Sequence, residues 1–422
     1  MRIGILPALK RHDGGIYQYS VTMLNALYDL STAADSPWNH EFVVFAHEPS
    51  DPVLTKMDHS PWSVKPFRPP WAPKPAIDLN EVPDPDSPQE QGDMRAWFQE
   101  CGIDLMLYPS PHRLSFESGI PFVMAIHDLQ HLLQPEFPEV SADGEWQRRE
   151  YVLRNAAKSA ALFIAESRIG REDILAAYGP YGIEPDRVHV LPYLYDATMD
   201  AQAARACLDR VRERYALPDR YLFYPAQFWP HKNHVRLVEA LGLLRRKHDL
   251  IIPLVLTGSG RGEIRERVVA EMESRCAALG LEGQVRTLGY VSDAEIAGLY
   301  AGAVALVMPT FFGPTNIPFL ETWSLGCPVL TSRIRGIVEQ VGDAAVTVDP
   351  KSVEGIADGI RELWTNEPFR QTLIAKGRSR VRGYTPRDFR RRLSQIIDAA
   401  TERIERERHR EPAPAAAGEL RA

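Results

Sequence analysis

The clearest chemistry in the chain lies in residues 309–330, PTFFGPTNIPFLETWSLGCPVL. An apolar run at 303–308 precedes it and reads as a buried parallel strand. Gly313, Pro314, Thr315 and Asn316 make a polar turn, a short helix is expected from about Ile317, and residues 329–332 are the next strand. A turn that opens a helix presents unsatisfied backbone N–H groups at the positive end of the helix dipole, which is an anion site. Glu321 stands one turn into that helix, where a carboxylate can accept hydrogen bonds from a ribose diol. Phosphate and ribose together mean a nucleotide.

Four other segments carry residues of the right type at the right place. Gly14 and Gly15 follow the first strand, and paired glycines let backbone amides approach an oxyanion closely. An ordinary strand-to-helix turn has the same appearance, so both readings stand at this point. His127 and Asp128 end the strand expected at 122–126, and ligands of open α/β sheets bind beyond the carboxyl ends of strands. His127 and His131 are four apart, but no further ligand cluster accompanies them, and Asp128 reads as a cap or packing residue. Lys232 sits at the mouth of the second half's first strand, within reach of a diphosphate. Gly258 belongs to a TGSGRG loop that breaks GxGxxG spacing, and no acidic residue ends the following strand, which disfavours a nicotinamide cofactor.

These residues need a scaffold, and the chain supplies one. At 422 residues it is too long for one ordinary core. Apolar content of 44% and charged content of 25% are those of a globular protein, and a net charge of −7 argues against a general nucleic-acid binder. Four scattered cysteines form no CxxC pair, which suits a reducing compartment and offers no zinc site. The N-terminus enters a strand directly, and no run is apolar enough to span a bilayer, so a cytoplasmic protein is expected. Short apolar runs alternate with helical stretches up to about residue 191, and the pattern restarts at 221. The expectation is two doubly wound α/β domains, 1–200 and 201–385, with a boundary near 196–206. Residues 49–88 hold eleven of the 34 prolines and read as a long irregular insertion. Phe389, Leu393, Ile396, Ile397 and Ile404 share one face of a helix over 386–410, and 411–422 reads as disordered.

Taken in order, Gly14–Gly15–Ile16–Tyr17, His127–Asp128–Leu129, Lys232, the LGYVSD segment at 288–293 and Gly313 through Gly326 resemble the retaining glycosyltransferases of family 4. The resemblance covers most of residues 1–385. It implies the GT-B fold: two Rossmann-like domains facing across a cleft, with a final helix at 386–410 crossing back to the first. It implies no cofactor and a nucleotide-sugar as substrate, GDP-mannose or a UDP-hexose, bound by the second domain. Tyr290 and Val291 would lie near the base, Glu321 would bind the ribose, and Lys232 with the amides around Pro314, Thr315, Asn316 and Ile317 would bind the diphosphate. Gly14, Gln227, Gly258 and Gly313 would complete the donor site. Gly15 would lie near the leaving phosphate and His127 near the sugar hydroxyls, which makes His127, Lys232 and Gly15 the expected catalytic set. The acceptor would be a glycan or lipid-linked glycan of a surface polysaccharide, held by the first domain.

Two positions depart from the family pattern. Gly313 stands where a Glu typically contacts the transferred sugar, and Gln227 where an Arg typically stands five residues before the Lys. No metal is expected, because the single DxD, Asp84–Pro85–Asp86, lies in the proline-rich stretch and reads as a solvated turn. A sugar-nucleotide epimerase or phosphorylase on the same fold, or a nucleotide-binding module without turnover, are the alternatives. The basic excess of residues 376–410 reads as a solvated helix face, with contact to an anionic inner membrane surface as the other reading.

Overall fold

The computed structural model describes residues 1–10, 14–36, 38–68, 91–194 and 201–410. The first sheet holds seven parallel strands: β1 (Arg2–Ile5), β2 (Glu41–Ala46), β3 (Trp62–Pro66), β4 (Leu105–Tyr108), β5 (Phe122–Ala125), β6 (Leu162–Ala165) and β7 (Val188–Val190), in the order β3-β2-β1-β4-β5-β6-β7. The second holds β8 (Leu222–Pro225), β9 (Leu254–Thr257), β10 (Val285–Thr287), β11 (Ala305–Met308), β12 (Val329–Ser332) and β13 (Val346–Val348), in the order β10-β9-β8-β11-β12-β13. Every pairing is parallel. Strands such as LMLY, FVMA and LFIA are buried along their whole length because helices cover both faces of a parallel sheet. Their alternate residues feed two cores. Ile3, Ile5, Leu105 and Leu107 pack on one face of the first sheet, and Met106, Tyr108, Phe122 and Met124 on the other.

In each sheet the strand order reverses beside its central strand, between β1 and β4 and between β8 and β11. Such a switch point splays the connecting loops apart and leaves a crevice at the carboxyl ends of the strands. Gly14 and Gly15 leave one switch point. Lys232 and the 309–317 turn leave the other.

The C-terminal helix Pro386–Arg410 crosses back to the first domain. Phe389, Leu393, Ile396, Ile397, Ala400 and Ile404 belong to the first-domain core, beside Leu24 and Leu27 of the helix Gly15–Thr32. Polar bonds fix its register: Trp38 Nε1 to Asp398 Oδ1 (3.0 Å) and Arg408 Nη2 to Asp104 Oδ1 (3.0 Å).

Two expectations need correction. The stretch at 49–88 is not irregular throughout, since residues 52–57 form a 3-10 helix and β3 pairs with β2 at the sheet edge. Trp62 drives this: its ring stacks on Phe42 at 4.5 Å, and its Nε1 donates to Ser31 Oγ at 2.7 Å. An edge strand tolerates the missing donor of a terminal proline such as Pro66. Residues 69–90, with the DxD, lie outside the described residues, as do 195–200 and the tail 411–422. Of the boundary region expected at 196–206, residues 201–206 belong to the helix Ala201–Tyr215, which packs Ala204, Cys207 and Val211 into the second core.

Phe389 is fully buried where the crossing helix meets the first core. Phe389→Ala is expected to cost about 3–5 kcal/mol, read by denaturant unfolding. A loss below about 1 kcal/mol would show that the helix does not hold the first domain.

Candidate active site

Three adjacent strands of the first sheet place polar groups at their carboxyl ends: Pro109 after β4, His127 after β5 and Glu166 after β6. His127 Nδ1 meets the Glu166 carboxylate, and Nε2 lies 2.9 Å from the Pro109 carbonyl oxygen. Both partners are acceptors, an arrangement that favours the doubly protonated ring. Burial alone would lower the His127 pKa, but the Glu166 charge and hydrogen bond outweigh it and the pKa is raised. Tyr19 meets the ring edge-on at 5.1 Å, and the Tyr193 hydroxyl stands 3.5 Å from Nδ1. The other Glu166 oxygen accepts from Thr315 Oγ1 of the second domain at 2.9 Å. Glu166 was missed in the sequence, although the strand-end rule that selected His127 points equally to it.

Lys232 lies in a short 3-10 turn, Pro230–Lys232, after β8. Its ammonium makes no hydrogen bond or ion pair among the described residues. Burial lowers its pKa to about 8, against the opposing pull of Asp128 and Glu139 from the first domain. Neighbouring His231 is pushed down to about 4 by burial and by Lys232, so it is neutral at pH 7. It is pinned across the cleft, with its backbone N–H (3.1 Å) and Nδ1 (2.5 Å) both on Glu139 Oε1. Asp128 accepts from the Gln130 N–H (3.0 Å) and from Arg149 (2.9 Å), which makes it a cap and ion-pair partner. His131 turns into the core toward Glu150 and Tyr178, away from any shared ligand with His127. Among the described residues no group of three or more His, Cys, Asp or Glu side chains gathers as a metal would need.

Two helix N-termini face each other between the domains. Gly14 has φ 60° and ψ −119°, a conformation glycine alone takes without strain, and it starts the helix Gly15–Thr32 with no capping side chain. The backbone N–H groups of Gly15 and Ile16 make no hydrogen bond among the described residues, and a Cβ on Gly15 would lie 3.8 Å from Ile317 Cδ1. Ile317 begins the opposing helix Ile317–Ser324, which also lacks a capping side chain. The N–H groups of Thr315 and Ile317 are likewise open among the described residues. Asn316 is different: its N–H donates to Gln340 at 2.8 Å, so this amide is already used. Glu321 lies buried in the second turn, where one oxygen accepts from Tyr300 OH (3.1 Å) and the other from Gln18 of the first domain (3.2 Å).

Gly313 has φ 128°, and a Cβ there would stand 2.9 Å from Asn316 Oδ1. With His127 and Asp128 it lines a cavity of about 230 Å³ whose apolar wall includes Leu133, Ile169 and Phe312. After β9, Gly258 has φ 132° and lies so close to the β8 connection that a Cβ would meet Ala226 O at 2.3 Å. The Tyr290 ring is 69% exposed beside it, whereas the Val291 side chain is buried in the second core and leaves only its backbone to a ligand. Gln227 Oε1 accepts from Arg265 Nη1 at 2.6 Å, a partner that nothing in the sequence singled out.

Two doubly wound domains, with open amides and a buried lysine facing each other across a cleft, define the GT-B class. Comparison with known proteins agrees. Residues 25–198 match the family described as Glycosyltransferase Family 4, and residues 209–380 the family described as Glycosyl transferases group 1. The chain is 28% identical over 276 residues to O-antigen chain mannosyltransferase B of Escherichia coli, covering 65% of this chain and 68% of that one. It is 21% identical to mannosylfructose-phosphate synthase of Agrobacterium fabrum, covering 68% and 66%. It thus spans about two thirds of the length of these curated relatives. Anabaena HepE, solved in complex with UDP and glucose, shares the fold with a TM-score of 0.68 at 17% identity, over 94% of this chain and 100% of that one. The chain belongs to the group 1, or family 4, glycosyltransferases.

Gly313→Glu is expected to lower stability by about 1–3 kcal/mol, because a non-glycine residue at that positive φ is strained and its Cβ presses on Asn316. Activity with the native donor should fall as well. A variant of unchanged melting point and equal kcat/KM would show that the pocket accommodates a carboxylate.

A free lysine pKa of about 8 also sets a pH dependence. An anion favours the charged form, so above pH 8 binding must take up a proton. The affinity for a nucleoside diphosphate should then fall about tenfold per pH unit. Calorimetric titration from pH 7 to 9.5 reads this slope. A flat profile identical to that of Lys232→Ala would remove Lys232 from the anion site.

Proposed function

We propose that this protein transfers a hexose, mannose in the first instance, from a nucleotide-diphosphate sugar to a glycan or lipid-linked acceptor of a surface polysaccharide. The transfer retains the anomeric configuration and uses no metal. GDP-mannose is the favoured donor, with a UDP-hexose as the other candidate. The reading rests above all on one observation: the uncapped N-termini at Gly15 and Ile317 meet across the cleft, with a buried lysine on the same side of the second sheet. The name of the Escherichia coli relative supports mannose, and its O-antigen chain supports a surface polysaccharide.

The chemistry follows from these parts. As the bond between sugar and diphosphate breaks, the sugar gains oxocarbenium character and the leaving oxygens gain negative charge. Open N–H groups at Gly15, Ile16, Thr315 and Ile317 and the Lys232 ammonium are fixed in place before that charge develops, so little reorganisation is needed. The acceptor proton passes to an oxygen of the leaving diphosphate. His127 is unsuited to take it, because both its nitrogens already face protein acceptors and its pKa is raised; its role is a donor beside the sugar. The acceptor enters by the cavity next to Gly313. No helix among the described residues is long and apolar enough to cross a membrane; the proposed place of work is the cytoplasm, at the inner membrane face where the acceptor is lipid-linked.

The test is a panel of nucleotide-sugars followed by NMR, with and without EDTA. One donor should be consumed with an anomerically retained product, at the same rate in EDTA. Loss in EDTA restored by Mn²⁺ or Mg²⁺ would overturn the metal-free reading. Tight nucleotide binding without turnover on any donor would make the protein a binding module.

A further inference from the structure

Arg265 is placed against the local electrostatics. It lies in the first turn of the helix Glu263–Ala278, where the helix dipole disfavours a cation. No carboxylate offsets its charge among the described residues. Glu266 accepts from the Gly262 N–H (3.1 Å), and Glu263 pairs with Arg267. Among the described residues its only polar anchor is neutral, the Gln227 carboxamide at 2.6 Å from Nη1, and its flat face rests on the Trp229 ring with Cζ 4.6 Å from the centroid. The opposite edge is unused. Among the described residues Nε is buried with no hydrogen-bond partner, and no bond is made by Nη2, which passes 3.2 Å from where a Cβ on Gly262 would stand.

The position of this edge is informative. Gln227 and Trp229 belong to the β8 connection that ends at Lys232, and Gly258, whose Cβ would stand 2.9 Å from the Gln227 N–H nitrogen, opens the neighbouring β9 connection. The guanidinium therefore stands at the mouth of β8 and β9, on the same rim of the second sheet as Lys232. A buried, unpaired N–H costs free energy until an acceptor arrives. The Nε/Nη2 pair of an arginine matches two oxygens of one phosphate.

Resting on the donor class proposed above, we infer that Arg265 binds the diphosphate of the nucleotide-sugar through its Nε/Nη2 edge. Gln227 and Trp229 position it. The cation that the β8 connection lacks at Gln227 is thus delivered from a different helix. Gln227 is an aligning partner in this arrangement and makes no direct phosphate contact.

The experiment compares Arg265→Gln and Arg265→Ala with the unaltered protein. The ligands are the tightest-binding diphosphate from a GDP, UDP, ADP and dTDP panel and its parent nucleoside. Affinity for the diphosphate should fall tenfold or more in both variants, while affinity for the nucleoside stays within twofold. An unchanged diphosphate affinity overturns the inference and leaves the donor class standing. Equal loss for diphosphate and nucleoside also overturns it, since Arg265 would then merely shape the site. Failure of the unaltered protein to bind any nucleoside diphosphate overturns the donor class and this inference together.

Discussion

Two positive helix ends meet across one cleft, and the rest of the molecule is arranged around that fact. Each N-terminus carries roughly half a positive charge and several open N–H groups. Bringing two such ends together, with a buried lysine nearby, is unfavourable without compensation. The protein supplies it with a rim of bonds between the domains: Glu166 to Thr315, Glu139 to His231, Gln18 to Glu321 and Gln134 to the Phe311 carbonyl. Three of these four bonds involve a carboxylate, the charge that a cluster of positive ends requires.

The rim and the crossing helix do different work. The Pro386–Arg410 helix buries aliphatic and aromatic side chains in the first core, an attachment that water cannot replace cheaply. The rim is polar. Arg335 reaches Glu172 and Asp173, and Glu339 accepts from the Ile169 N–H at its outer edge, where exposed ion pairs contribute little net stability. Such bonds exchange for water or for substrate hydroxyls and phosphates at small net cost. Gln18 on Glu321 is the plainest case, because a neutral side chain of one domain donates to a carboxylate oxygen of the other.

The two departures from the family pattern also make physical sense together. Gly313 permits a backbone conformation in which its carbonyl accepts from Asn316 at 3.1 Å, and the turn closes without adding a carboxylate of its own to the cavity. Gln227 gives up a charge but holds Arg265. In both places the local replacement is explained by a neighbour that sequence spacing does not reveal.

The alternation of apolar runs with helices, the restart at 221 and the apolar stripe of the last helix were all legible in the sequence, and they specify two doubly wound sheets tied by a crossing helix. Strand and helix formation is governed by near neighbours, so Gly14, Ile317 and Glu321 could be placed on their elements from local pattern. The edge strand β3 escaped because prolines mask its short run and one distant stacking partner, Phe42, secures it. What tertiary structure decided is which strand ends lie side by side. Glu166 is 39 residues from His127 and 149 from Thr315, yet touches both. Arg265 is 38 residues from Gln227, and Gln18 is 303 from Glu321. Parallel strands joined by crossovers become neighbours in an order that spacing along the chain does not encode. The raised pKa of His127 and the lowered pKa of Lys232 follow from that adjacency and from burial, and so belong to the fold.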